Sequence, residues 1–161
     1  MKLKRSTPSF TGLHPASASA RRAAKGASKK MGTKCELALR RALWAMGIRY
    51  RKCVPGLAGR PDLILPRYRV VIFCDGDFWH GRDLDSRLAR LARGHNASYW
   101  TEKIRTNVQR DHAVSERLTR EGWLVIRLWE TDILRDPKGA AAVVAGSVPG
   151  RGGNSVQGGG P

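Results

Sequence analysis

Gly59-Arg60-Pro61-Asp62 sets a carboxylate at the entry to an apolar run, and a short way on Val70-Val71-Ile72-Phe73-Cys74 ends in Asp75-Gly76-Asp77-Phe78-Trp79-His80. Two neighbouring strands would bring these acids to one sheet edge. Hard oxygen ligands there suit Mg2+, which keeps several waters and needs only one or two carboxylates beside the phosphate it serves. Read without chemistry, Pro61-Asp62 and Asp75-Gly76 are plain turn dipeptides. Phe78 and Trp79 are either core aromatics or a wedge that inserts between base pairs and unstacks them, and their place beside a Gly-bounded acidic turn favours the wedge. Histidine as a residue type suits proton transfer near neutral pH, which makes His80 a candidate acid/base; a lone histidine otherwise packs or faces solvent. Glu36 precedes Leu39 and Leu43 at helical spacing on the core-facing side, where it either completes a capping box with Thr33 or joins the acids. The two roles are compatible.

The elements that must position these residues follow from changes of period. Thr33-Lys34-Cys35-Glu36 has capping-box spacing, and Leu39, Ala42, Leu43 and Met46 continue a helix that Gly47 stops. Ile48 to Val54 and Asp62 to Leu65 read as strands separated by Pro55-Gly56 and Gly59. Val70 to Cys74 is continuously apolar, as expected of a central strand covered on both faces. A polar, Arg-rich stretch from Gly81 to Gly94 precedes a long helix from about Ala97 to Glu121, with Trp100, Ile104, Val108, Val114 and Leu118 near one face. Trp123 to Trp129 is a further buried-type strand, followed by a short helical segment before Pro137. The order helix, three strands, helix, strand, helix predicts an α/β fold, a small central mixed β-sheet flanked by helices.

The 161 residues carry 30 Lys or Arg against 13 Asp or Glu, a formal charge of +17, with 41% apolar residues. That composition supports one core and implies a polyanionic partner, nucleic acid first among them. Residues 1–34 contain nine Lys or Arg and no acid, and removing those nine from +17 leaves +8 on the remainder. We therefore expect a solvated basic arm at 1–32, a folded domain at 33–145 and a Gly-rich tail at 146–161. Cys35, Cys53 and Cys74 are too scattered for a disulfide framework or a zinc ribbon, and no apolar run approaches the roughly 20 residues of a membrane span. The expectation is a soluble, cytoplasmic monomer.

The stretch GRPDLILPRYRVVIFCDGDFWHG resembles the signature of the very-short-patch repair (Vsr) endonucleases, with further matching blocks at TKCELALRRALWAMGIRYR, NASYWTEKIRTNVQRD and LTREGWLVIRLWE. The resemblance implies a variant of the restriction-endonuclease-like PD-(D/E)xK fold and Mg2+-dependent nicking of one strand of double-stranded DNA. It implies that Asp62 is the principal metal ligand with the backbone carbonyl of Cys74, that Glu36 holds water, and that His80 acts at the scissile phosphate. Phe78, Trp79 and Trp100 resemble the aromatics that such proteins push into DNA beside a T:G mismatch. Asn96, Lys103 and Arg110 are then phosphate or groove contacts, or else a solvated helix face.

Two departures qualify that likeness. Family members commonly hold a structural zinc through cysteines at the positions of Asp77 and Thr131 and a Cys/His cluster after Phe-Trp-His, and this chain has none of those thiolates. No structural zinc is expected, and an Asp77 to Arg82 ion pair would brace the loop instead. Asp75 replaces a catalytic histidine, and a carboxylate there would be a further metal ligand rather than a cationic partner. The functional expectation is a Mg2+-dependent nickase acting at or near T:G mismatches, with other repair proteins as partners. The alternatives are a strand-nicking nuclease of a restriction or defence system and an inactive DNA-binding module.

Overall fold

A computed structural model describes residues 32–148 apart from 53 and 95. The expected arm, all but its last residue, and the tail from 149 onward lie outside the described residues, as does Cys53. The first helix, α1 (Lys34–Ala45), starts where the capping box predicts. Thr33 accepts the Glu36 N–H at 3.4 Å, and the Glu36 carboxylate returns to the Thr33 hydroxyl at 3.1 Å and to the Gly32 N–H at 2.9 Å. The helix ends in a Schellman motif: Ile48 N–H reaches the Leu43 carbonyl and Gly47 N–H reaches that of Trp44, both at 2.9 Å, with Gly47 at φ +72.

Four strands follow in the spatial order β1-β2-β3-β4: β1 (Arg51–Lys52), β2 (Leu63–Leu65), β3 (Val70–Asp75) and β4 (Leu124–Trp129). β1 and β2 pair antiparallel, as do β2 and β3, while β3 and β4 run parallel with Asp75 opposite Trp129. The sheet is mixed and helices flank it, the predicted α/β architecture. β1 is shorter than the Ile48 to Val54 expectation because Arg51 and Lys52 are exposed edge residues, with only one neighbour to pair. β3 alternates between the two faces. Val70 and Ile72 join Leu39, Leu43, Leu63 and Ile133 in the larger core, while Val71 and Phe73 join Ile64 and Leu118 on the other side. Layers on both faces explain why the strand is a continuous apolar run.

The crossover from β3 to β4 holds two helices, α2 (Leu84–Leu91) and α3 (Ala97–Arg120). The first forms inside the stretch expected to be merely polar, because Leu84, Leu88 and Leu91 recur at helical spacing and put a half-buried stripe against α3. Ile104 and Leu118 are buried on α3 as predicted, and so is Tyr99, missed by that reading. After β4 come α4 (Glu130–Arg135) and α5 (Pro137–Gly146). Pro137 opens α5 at a position where a missing N–H costs nothing, with Asp136 capping the Gly139 N–H at 2.9 Å. Ala140, Ala141, Val144 and Val148 are buried against α1. Ordered packing thus passes the expected tail boundary at 146, because Val148 supplies an apolar anchor that the surrounding glycines concealed.

Candidate active site

The acids converge at the end of β3. Asp62 sits one residue before β2 and extends its ladder, its N–H donating to the Ile72 carbonyl at 3.0 Å. Its Oδ2 accepts the Cys74 N–H at 2.7 Å. Burial pushes the Asp62 carboxyl up to about 6, with the charges of Glu36 and Asp75 adding to the rise and the Cys74 hydrogen bond and Arg40 opposing it. Glu36 comes from α1, 4% exposed, held by its capping bonds and by Arg40 at 2.7 Å. The cap that its spacing allowed is present. The neighbouring Cys35 of α1 and burial together raise the Cys74 thiol far above the usual thiol range. What Cys74 offers the strand end is therefore its backbone.

The next residue faces the opposite way, and its partners were not foreseen. Asp75, 5% exposed, receives a two-point fork from Arg127 of β4, Nε at 2.6 Å and Nη2 at 2.9 Å. Both carboxylate oxygens are thereby engaged, and Asp75 is a counter-ion to Arg127. His80 Nδ1 lies 3.5 Å from Asp75 and 2.5 Å from Asp111 of α3. Burial alone would raise the Asp111 carboxyl, but the His80 hydrogen bond and the charges of His80, Arg127 and Arg110 outweigh it and hold the group below its usual range. Arg127 also reaches Asp111 at 3.3 Å and the Ser115 hydroxyl at 3.3 Å. Gly81 makes the arrangement possible: at φ +76 its missing side chain lets the turn press on α3, where a Cβ would stand 2.6 Å from Val108.

Arg127 and Asp111 each left a trace in the sequence. A single arginine interrupting an apolar strand is seldom buried without a carboxylate to meet it. Asp111 closes the NASYWTEKIRTNVQRD block, but nothing in its helical spacing distinguished it from a solvated acid. Glu130 at the start of α4 was also missed; its Oε2 lies 3.6 Å from where a Gly76 Cβ would be.

Phe78, Trp79 and Trp100 form one cluster, with ring centroids 4.9, 5.9 and 6.1 Å apart. Trp79 is 41% exposed, and Asn107 fixes its carbonyl at 3.1 Å. Asn96, Lys103 and Arg110 follow one another at intervals of seven and so share a stripe of α3. Asn96 stands at the helix start with φ +59, Lys103 donates to the Tyr99 hydroxyl at 3.2 Å, and Arg110 is exposed beside Asp111. The Asp77 to Arg82 pair forms at 3.0 Å; Asp77 also accepts the Thr131 N–H at 3.1 Å, and Asp132 joins Arg82. Among the described residues no group of three or more His, Cys, Asp or Glu side chains is disposed to hold a metal, and no helix is long and apolar enough to cross a membrane.

A family model described as DNA mismatch endonuclease Vsr matches residues 16–86. The type II nicking enzyme V.NmeDIP of Neisseria meningitidis serogroup C is 45% identical over 109 residues, spanning 68% of this chain and 72% of that protein. The type II nicking enzyme V.HpaIIP of Haemophilus parainfluenzae is 44% identical over 114 residues, spanning 71% and 79%. This chain belongs to the Vsr family. The DNA mismatch endonuclease Vsr of Escherichia coli is 37% identical over 98 residues, 61% of each chain. Membership makes the chain an endodeoxyribonuclease, and the family match begins at residue 16, within the segment expected to be an arm. The Vsr fold accounts for the mixed sheet with helices on both faces.

Proposed function

We propose that this Vsr-family nuclease nicks one strand of duplex DNA at or near a T:G mismatch with Mg2+ as its metal. The observation that carries the reading is the convergence on one strand end of a destabilised Asp62 carboxylate and a His80 imidazole braced by Asp111. Asp62 fits a divalent cation: it is an acid raised by burial and by two neighbouring carboxylates, and a cation beside it would relieve that cost. Asp62 and the Cys74 carbonyl would hold the ion, with Glu36 holding water from α1. Mg2+ bound there supplies neutralisation of the charge that builds on the phosphate and the leaving oxygen.

The chain's own residues do the rest. With its Nδ1 directed at Asp111, His80 presents Nε2 for proton transfer during in-line attack on the phosphate. Arg127 keeps the negative charges of Asp75 and Asp111 compensated, so that they brace the imidazole without repelling the phosphate as strongly. Phe78, Trp79 and Trp100 form an amphipathic wedge, and a mismatched pair is less costly to unstack, which favours damaged sites. The stripe of Asn96, Lys103 and Arg110 contacts the backbone, and the basic segment 1–32 adds sequence-independent affinity. Asp77, committed to Thr131 and Arg82, braces the loop where relatives carry zinc ligands, and we infer no structural zinc. Asp75 in place of a histidine favours a second reading, a nickase of a restriction or defence system without mismatch preference.

Duplexes labelled separately on each strand, carrying T:G or a matched T:A in varied flanks, test the proposal with Mg2+ present. Cutting of one strand, faster on T:G, is expected. Equal rates on both would leave the second reading, and binding without cleavage would remove the enzymatic assignment.

A further inference from the structure

Away from the acids, α1 and β1 enclose an open groove of about 430 Å3 lined by Leu37, Arg40, Arg41, Trp44, Tyr50 and Lys52. Leu37, Arg41 and Trp44 follow at helical spacing on the exposed side of α1, opposite Leu39 and Leu43. Trp44 is 58% exposed, an unusual state for the largest apolar side chain. Arg49 stacks over its ring, 3.6 Å from the centroid. No acid lines the groove, and among the described residues neither Arg41 nor Lys52 has an ion-pair partner.

Charge decides the occupant. The chain's own terminal segments cannot neutralise the groove, because residues 1–31 contain no acid and the only charged side chain in 149–161 is Arg151. A polyanion can. Arg40 joins the groove to the active site, since it lines the first and pairs with Glu36 in the second. The Nε of the same guanidinium is the one buried side-chain polar atom without a hydrogen-bond partner among the described residues.

We propose that the α1–β1 groove is a second DNA contact, in which Arg41 and Lys52 bind phosphates of the substrate backbone at a distance from the cut and a sugar or base packs on the exposed Trp44. It rests on the nuclease reading above. The groove volume admits about one nucleotide unit, on the order of the smaller ligand sites of proteins, and base–aromatic contact is the usual way such a ring contributes.

The test uses the full chain, without divalent metal so that no cutting occurs, and measures affinity against salt for two duplexes centred on one cleavage site, one with long flanks and one trimmed close to the cut. Two phosphate contacts contribute a salt slope of about 1.8. The Arg41→Gln/Lys52→Gln variant should lower the slope by that amount on the long duplex and weaken binding about tenfold, with no change on the trimmed one. Trp44→Ala should weaken long-duplex binding with the slope unchanged; should it unfold the chain, the paired charge variant still decides. Hydrogen exchange of the segment from Arg41 to Lys52 should slow on adding the long duplex only. Equal slopes and affinities for wild type and variants would overturn the inference. Nicking by wild type with unchanged slopes defeats the groove alone, whereas slope changes in a chain that never nicks defeat the nuclease reading alone.

Discussion

Replacing Arg127 with Met would leave Asp75, 5% exposed, facing only His80 at 3.5 Å. Removing one partner of a fully buried ion pair costs about 3–5 kcal/mol, because the other charge stays desolvated. A quarter of the Arg127 side chain, 24%, meets solvent, which moves the expectation below that range, to about 2–3 kcal/mol. For a domain of this size that is roughly 8–12 °C in Tm. Urea denaturation at pH 7.5, followed by circular dichroism, reads the loss as a lower midpoint at unchanged slope. The double variant Arg127→Met/Asp75→Asn removes both charges and should recover more than half of that loss. A single variant within about 0.5 kcal/mol of wild type, or a double variant as unstable as the sum of the two singles, would refute the pairing as the strand end's electrostatic support.

Asp62 gives a pH signature. Its folded-state pKa of about 6 exceeds the ordinary 3.8, so the stability it contributes is complete below pH 4 and is lost as pH rises through 6. Asp62→Asn should therefore stabilise the metal-free protein at pH 7.5 by on the order of 2 kcal/mol and have little effect at pH 4; equal effects at both pH values would contradict the shift. Nicking needs the ionised carboxylate, and because bound Mg2+ favours that form, the acid limb of the rate profile should move to lower pH as the Mg2+ concentration rises. Asp111→Asn should lower kcat by about 10² with little change in KM, since the imidazole loses its anionic brace; a matching rise in KM instead would make Asp111 a DNA contact. Trp79→Ala should slow cleavage of T:G duplexes more than matched ones at an unchanged melting temperature, and a melting temperature lowered by many degrees would make Trp79 a core residue.

The parts of the fold legible in the sequence are those whose local signals agree with their packing. Thr33 and Glu36 announced the start of α1 and Gly47 its end, and the run from Val70 to Cys74 announced a strand covered on both faces. α5 was hidden because its alanines and glycine give little contrast of period, and its place comes from burial against α1. The placement of the motif residues was legible: Asp62 bonds to the Cys74 N–H and His80 lies 3.5 Å from Asp75, both at the end of β3. Arg127 and Asp111 were not, because their partners lie 52 and 31 residues away, and only the parallel pairing of β3 with β4 and the seating of α3 bring them together. Asp75 shows the cost of that gap. By itself it looks like a metal ligand; with Arg127 placed, it is a paired charge.

The central claim is that Asp62, with the metal it would hold, makes this strand end cut one DNA strand. Supercoiled plasmid incubated with the full chain and Mg2+ tests it most directly. Conversion to open circles that is abolished by EDTA and by Asp62→Ala, in a variant that still folds and binds DNA, is the predicted result. Nicking that persists in Asp62→Ala, or wild type that binds the plasmid with Mg2+ and leaves it supercoiled, would contradict the account.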